Sequence, residues 1–204
     1  PRHDAWDEQG YVDRDVWKRA GELGLLCPTM PEQYGGSGVN RLYSAIMMEE
    51  QAYKGVNGVV FALHSDIVAP YINNYGSEEL KQHYLPKMAS GDFIGAIAMT
   101  EPGTGSDLQA ITTTAKEDGD HFIINGAKTY ITNGWNCDFA IVACKTGATG
   151  GAKEMSLIIV DANREGFHKD KPCKKVGMRA QDTCQLTFDD VRVPKGNLLG
   201  GPNM

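Results

Sequence analysis

The chain has 204 residues and carries 20 Lys and Arg against 26 Asp and Glu, a formal charge of −6. That balance gives no cationic field for a phosphate backbone, which excludes nucleic acid as an expected partner. No apolar run approaches the roughly 18 residues of a membrane helix, so no membrane span is expected, and the length corresponds to one large domain or two small ones.

Residues 1–93 read as an all-helical domain. Asp13 or Asp15 can N-cap a helix in which Val16, Ala20 and Leu23 recur at helical spacing, with Gly24 at its C′ position. Pro28, Pro31 and the run Gly35-Gly36-Ser37-Gly38 mark a loop. RLYSAIMMEEQAYK brings Leu42, Ala45, Ile46 and Glu49 onto adjacent turns before Gly55, and the more apolar stretch from Val59 to Tyr75 predicts a buried helix. Within it His64 reads as a hydrogen-bonded core histidine. Ser77, Glu78 and Glu79 form a capped, dipole-matched start for a helix running through Leu80, Tyr84 and Met88 to Gly91.

Residues 94–204 change to a period of two. Asp118-Gly119 and Asn125-Gly126 favour type I′ hairpin turns on either side of HFIIN. Cys184, Leu186 and Phe188 alternate with polar residues as a half-buried strand does, and 139–144 and 156–160 are further strands. Glycine, at 24 of 204 residues, is well above its usual share and fits many tight turns. The expected fold is α+β and multidomain: a helical N-terminal domain, then an antiparallel β-sandwich or barrel. Five cysteines without a CxxC and five scattered histidines predict neither a disulfide framework nor a metal site, and suit a reducing compartment.

Two stretches carry chemistry. In IAMTEPGTGSDL, two glycines and a proline after a strand give a loop whose amides can approach a ligand, with Thr100 and Ser106 as hydroxyl donors; a plain strand-to-strand turn is the alternative. It is neither a dinucleotide fingerprint, since Leu108 stands where the third glycine belongs, nor a Walker loop. In INGAKTYITNG, Tyr130 and Thr132 are two apart on one strand face, which suits either a planar heterocycle such as a flavin or a cross-strand packing pair.

TEPGTGSD, then NGAKTYITNG, then GMRAQDTCQLTFDDVRVPKGNLLG, preceded by GLLCPTMPEQYGG and YINNYGSEELKQHYLPKMASGD, resembles the acyl-CoA dehydrogenase family, and EEQAY and MRAQDT are closest to its long-chain branch. The resemblance covers the family's N-terminal and middle domains. It implies an FAD-dependent oxidoreductase converting acyl-CoA thioesters to trans-2-enoyl-CoA in fatty-acid β-oxidation, with medium-to-long chains favoured. An acyl-CoA oxidase and a catalytically inert flavin- or acyl-CoA-binding module are the alternatives.

The same resemblance implies that Ile97, Ala98, Met99, Thr100, Glu101, Pro102, Gly103, Thr104, Gly105 and Ser106 form a first flavin-binding segment and Tyr130, Ile131 and Thr132 a second. Thr100 would bond the flavin's pyrimidine side and Ser106 would reach CoA, with Ala152 and Lys153 as weaker substrate contacts. Tyr130 stands where Trp is common and Thr104 where Ala is common. Glu101 reads as a structural carboxylate, and the catalytic glutamate is expected in a C-terminal helical domain beyond these residues, so none is assigned here. Without that domain the flavin face of the β domain is expected to expose an apolar patch. Implied partners are electron-transfer flavoprotein and copies of the same chain in a homotetramer. The compartment is cytoplasmic in a bacterium, or the mitochondrial matrix after removal of a leader. Lys169, Lys171, Lys174 and Lys175 read as a solvated loop, with a grip on CoA phosphates as the alternative.

Overall fold

The computed structural model describes residues 2–147 and 154–201. The helical half contains α1 (His3–Gln9), α2 (Arg14–Glu22), α3 (Arg41–Tyr53), α4 (Ala69–Tyr75) and α5 (Glu78–Ser90). Ser77 caps α5, its Oγ accepting from Leu80 N at 3.3 Å, and Gly91 ends it at φ 76°. Asp13 is the residue before α2, but its carboxylate is taken by Trp6 Nε1 (2.9 Å) and Gln9 Nε2 (3.1 Å) instead of the helix amides.

The apolar stretch after Val59 is helical, but Leu63–Val68 forms a π-helical turn leading into α4. Pro70 is the second residue of α4. It has no N–H to donate, and its ring would meet the carbonyl four residues back in a regular α-helix, so a wider turn there relieves the conflict. The turn carries His64, whose Nδ1 accepts from Gly95 N and whose Nε2 donates to Met88 O, both at 3.1 Å. Those two bonds fix the neutral Nε2–H tautomer. Burial pushes the imidazole down to about 4, against the opposing pull of the Met88 carbonyl.

Seven strands form one curled sheet: β1 (Gly95–Ala98), β2 (Thr114–Asp118), β3 (His121–Thr132), β4 (Phe139–Lys145), β5 (Met155–Asp161), β6 (Phe167–Lys169) and β7 (Thr183–Pro194). The pairing is mixed rather than purely antiparallel. β1 runs parallel to β4 from Gly95↔Phe139 to Ala98↔Val142, and β2 meets β4 in parallel at Thr114↔Lys145. β5 occupies the other edge of β4 along its whole length, so β1 and β2 share one edge in succession. Alternation reports which face a residue occupies and not which strand lies beside it, so the parallel neighbours were not readable from it.

Asp118-Gly119 does make the β2–β3 hairpin, with Asp118 opposite His121; Gly119 (φ 60°) is left-handed and Asp120 is not, the pattern of a II′ turn. Asn125-Gly126 is not a turn. It lies inside β3 opposite a bulge in β7, where Asp190 (φ 49°) is the extra residue and exchanges two hydrogen bonds with the Asn125 side chain. Gly126 is required there because a Cβ would stand 2.4 Å from Thr113 Oγ1.

The sheet is buried on both faces along β4. Phe139 and Ile141, with Ile159, pack on Val68, Ile72, Leu85 and Met88, while Ala140, Val142 and Cys144 face Ile124, Leu186 and Phe188. Burial pushes the thiols of Cys27, Cys137, Cys144 and Cys184 up to about 12, so they serve as small core residues. After β7 the chain returns to β5, with Leu199 N donating to Leu157 O at 2.9 Å. The large exposed apolar side chains gather mainly on the helical half, above all on α3 at Leu42, Tyr43, Ile46 and Tyr53; the sheet half contributes Tyr130, Val176 and Met178.

Candidate functional site

The site is built where β1 ends and β3 bends. Leaving β1, the chain makes a tight turn in which Glu101 and Thr104 exchange backbone hydrogen bonds (2.9 and 3.1 Å), projecting Pro102 and Gly103 into solvent. Thr104 Oγ1 then donates to Asp107 O at 2.5 Å, and Asp107 caps the short turn Leu108–Ala110 by accepting from Gln109 N. Gly105 and Ser106 are exposed on this loop.

The second segment lies directly beside the first. Thr129 N donates to Thr100 O at 2.9 Å, joining two stretches almost thirty residues apart. At the next residue β3 bulges against β7, the register slipping between Lys128 and Ile131. Tyr130 is the residue in the bulge. It has φ 57° and is 70 % exposed, whereas Ile131 is buried and Thr132 half-buried. The bulge sets this left-handed φ, a place where glycine is the usual choice, and leaves the aromatic ring open. Asn133 (φ 62°) and Gly134 then end the strand; a Cβ on Gly134 would sit 2.7 Å from Cys184 Sγ.

Gly103 and Gly105 are not constrained as Gly126 and Gly134 are. Neither is left-handed, and a Cβ on Gly103 would meet nothing within 4 Å, while one on Gly105 would meet only Thr100 Cγ2 at 4.0 Å. The chain itself does not need glycine at either place. The open space suits the close approach of a bound group to the loop backbone.

The interior of the site is polar. Lys128 is fully buried and Glu101 is 4 % exposed. Lys128 Nζ donates to Glu101 Oε1 (2.9 Å) and to Met99 O (3.0 Å). The carboxylate also accepts from Thr112 N (2.6 Å), Thr112 Oγ1 (2.8 Å) and Thr113 N (3.0 Å). Burial alone would raise this carboxyl, but the hydrogen bonds from Thr113, Lys128 and the Thr112 amide outweigh it and hold the group at about 2. Glu101 thus turns its side chain inward, ionised and fully engaged.

Lys128 and the Thr112–Thr113 pair escaped the motif reading. The signal was present: Phe122, Ile124 and Lys128 share the even, core-facing phase of β3, and a lysine on a core face needs a carboxylate partner. Behind the first segment lies an apolar cleft of about 370 Å³, lined by Tyr71, Tyr75, Met99, Leu108, Leu157 and Leu199 among others. Ala152 and Lys153 lie outside the described residues.

Comparison with known proteins settles the relationship. The acyl-CoA dehydrogenase N-terminal domain matches residues 1–92 and the acyl-CoA dehydrogenase middle domain residues 96–191. The chain belongs to the acyl-CoA dehydrogenase family. It is 49 % identical over 205 residues to the mitochondrial long-chain specific acyl-CoA dehydrogenase of Sus scrofa, a match covering all of this chain and 48 % of that protein. The crystal structure of acyl-CoA dehydrogenase from Geobacillus kaustophilus superposes with a TM-score of 0.95 at 47 % identity, covering 100 % of this chain and 54 % of that one. A glutaryl-CoA dehydrogenase from Mycobacterium smegmatis, solved in complex with FADH2, gives a TM-score of 0.87 at 32 % identity over 97 % of this chain and 50 % of its own. The chain therefore spans about half the length of the acyl-CoA dehydrogenases it matches. Among the described residues no helix is long and apolar enough to cross a membrane.

Proposed function

We propose that the full-length protein carrying this chain binds FAD and oxidises acyl-CoA thioesters to trans-2-enoyl-CoA in fatty-acid β-oxidation, favouring medium to long acyl chains. The observation that carries this reading is the junction of the two segments: Thr100 and Thr129 are hydrogen-bonded, and the exposed Tyr130 follows directly. The flavin segments proposed are 97–106 and 130–132. Thr100 and Thr132 supply donors, Tyr130 a flat face, and Gly103 and Gly105 the room for close approach. Bound there, FAD would supply the acceptor for the hydride that leaves the acyl β-carbon.

The residues of this chain bind and orient. The apolar cleft bordered by Met99 and Leu108 offers an acyl chain a place out of water, which supports the preference for longer chains. Ser106, Ala152 and Lys153 are proposed CoA contacts. Glu101 is not available as the base that removes the α-proton, because its carboxylate is buried and saturated with donors. That carboxylate is proposed to come from outside these 204 residues. Electron-transfer flavoprotein as acceptor, assembly as a homotetramer, and a bacterial cytoplasmic or mitochondrial-matrix location complete the reading.

The test is the full-length protein, purified and examined for flavin absorbance between about 370 and 450 nm and for 2-enoyl-CoA formed from a series of saturated acyl-CoAs. Bound flavin and product rising toward longer chains are expected. A colourless protein without product overturns the reading, and turnover sustained by oxygen alone favours the oxidase.

A further inference from the structure

We propose that the buried Lys128–Glu101 ion pair is a positioning device that sets the spacing of the two flavin-facing segments; this rests on the FAD reading above. Three consecutive residues of the first segment are tied to Lys128 and Thr129, the two residues that lead into the second. Met99 O and the Glu101 carboxylate receive Lys128 Nζ, and Thr100 O receives Thr129 N. The carboxylate is in turn held from behind by Thr112 and Thr113, so the root of the exposed loop is fixed from two sides. Beyond Thr129 the chain enters the bulge at Tyr130. A shift at Lys128 would therefore move Tyr130 relative to Thr100.

Stability alone does not account for the pair. Removing two charges from water costs as much as or more than their mutual attraction returns, and apolar replacements of both partners are often neutral or stabilising. The Glu101 carboxylate also serves as acceptor for Thr112 and Thr113, but beside a neutral acceptor apolar side chains could have filled the place of Lys128. A lysine stem does something they cannot: it reaches a backbone carbonyl and a carboxylate of the neighbouring segment simultaneously, and so fixes distance and direction.

The experiment compares two double variants in the full-length protein, Glu101→Gln with Lys128→Met and Glu101→Gln with Lys128→Gln, both of which keep an acceptor for the Thr112 donors. Single variants would strand a buried charge and test folding only. The readouts are the melting temperature of the apoprotein, the dissociation constant for added FAD, and the visible spectrum of whatever flavin is bound. Positioning predicts that the Gln/Met variant melts close to the Gln/Gln variant but binds FAD at least about tenfold more weakly than the wild type or with a shifted spectrum. It also predicts that the Gln/Gln variant, which can still hydrogen-bond across the gap, recovers most of the affinity. A Gln/Met variant that folds and binds FAD like the wild type overturns the proposal, as does failure of both double variants to fold, which would make the pair a requirement of folding. Wild-type protein that takes up no FAD overturns the underlying reading instead.

Discussion

At Tyr130 the backbone has been given a conformation that most side chains avoid, with φ at 57°, while its ring lies open to solvent. A left-handed non-glycine residue costs roughly 1–2 kcal/mol, so Tyr130→Gly should relieve strain. Greater freedom of the unfolded chain takes back about 0.5–1 kcal/mol. The expected melting temperature is unchanged or slightly higher, although glycine within a strand normally destabilises; a clear loss would show that the ring contributes to folding. The same substitution should weaken FAD binding, and Tyr130→Ala with Thr132→Val should lower flavin occupancy or shift the visible spectrum of the full-length protein. Unchanged occupancy and spectrum would instead favour simple cross-strand packing. The motif was legible in the sequence, but the strain was not. Two-residue alternation presupposes an unbroken pleat, and the bulge falls on the tyrosine itself.

Where helices meet sheet, a single imidazole joins the π-helical turn, α5 and β1. Its folded pKa, depressed to about 4 from 6.5, means that the unfolded chain takes up a proton between those values and the folded chain does not. This contribution is complete above pH 6.5 and lost as pH falls toward 4, on the order of 3 kcal/mol over the window. Glu101, depressed from 4.5 to about 2, acts in the same sense but lower, its contribution present above 4.5 and lost toward 2. His64→Ala should therefore flatten the fall in stability between pH 6.5 and 4 while leaving the loss below 4.5 that Glu101 causes; an unaltered slope would remove His64 as its cause. Glycines in the hairpin region allow a separate check. Gly126→Ala meets Thr113 at 2.4 Å as well as an unfavourable φ, and should cost at least about 2 kcal/mol by denaturant titration. Gly119→Ala has open space and should cost about 1 kcal/mol. The two Asx-Gly dipeptides look alike in sequence, yet one makes the turn and the other faces a bulge. The difference lies in Thr113 and Asp190, which are distant in sequence, so local pattern could not separate them. Ser77 and Gly91 were legible as the ends of α5 because their signals are local.

Over the whole molecule, helices and sheet share one core: Val68, Ile72, Leu85 and Met88 close on Phe139, Ile141 and Ile159. A polar clamp stands at its rim. Arg14 donates to Asn136 O (2.8 Å), Asp92 O (2.9 Å) and Asp138 Oδ2 (2.7 Å), and the same carboxylate oxygen accepts from Ile94 N (2.7 Å). The clamp thus connects α2, the start of β4 and the segment between α5 and β1. The sequence displays two halves with different periodicities, and the sheet keeps an interior of its own around Ile124, Val142, Leu186 and Phe188, but the helices bury their apolar side chains against its other face. Unfolding is therefore expected to be a single transition, with far-UV dichroism of the helices and hydrogen exchange of β3 and β4 amides lost together. Arg14→Ala removes charge-assisted bonds from a half-exposed carboxylate and two carbonyls, and should cost about 2 kcal/mol. For a chain of this length that corresponds to roughly 4–8 °C in melting temperature. Because the clamp spans both halves, the shift should be equal in the helical signal and in β4 protection. If the helices alone melted earlier while β4 kept its protection, the shared core would be too weak to couple them, and the two halves would have to be treated as separately folding units.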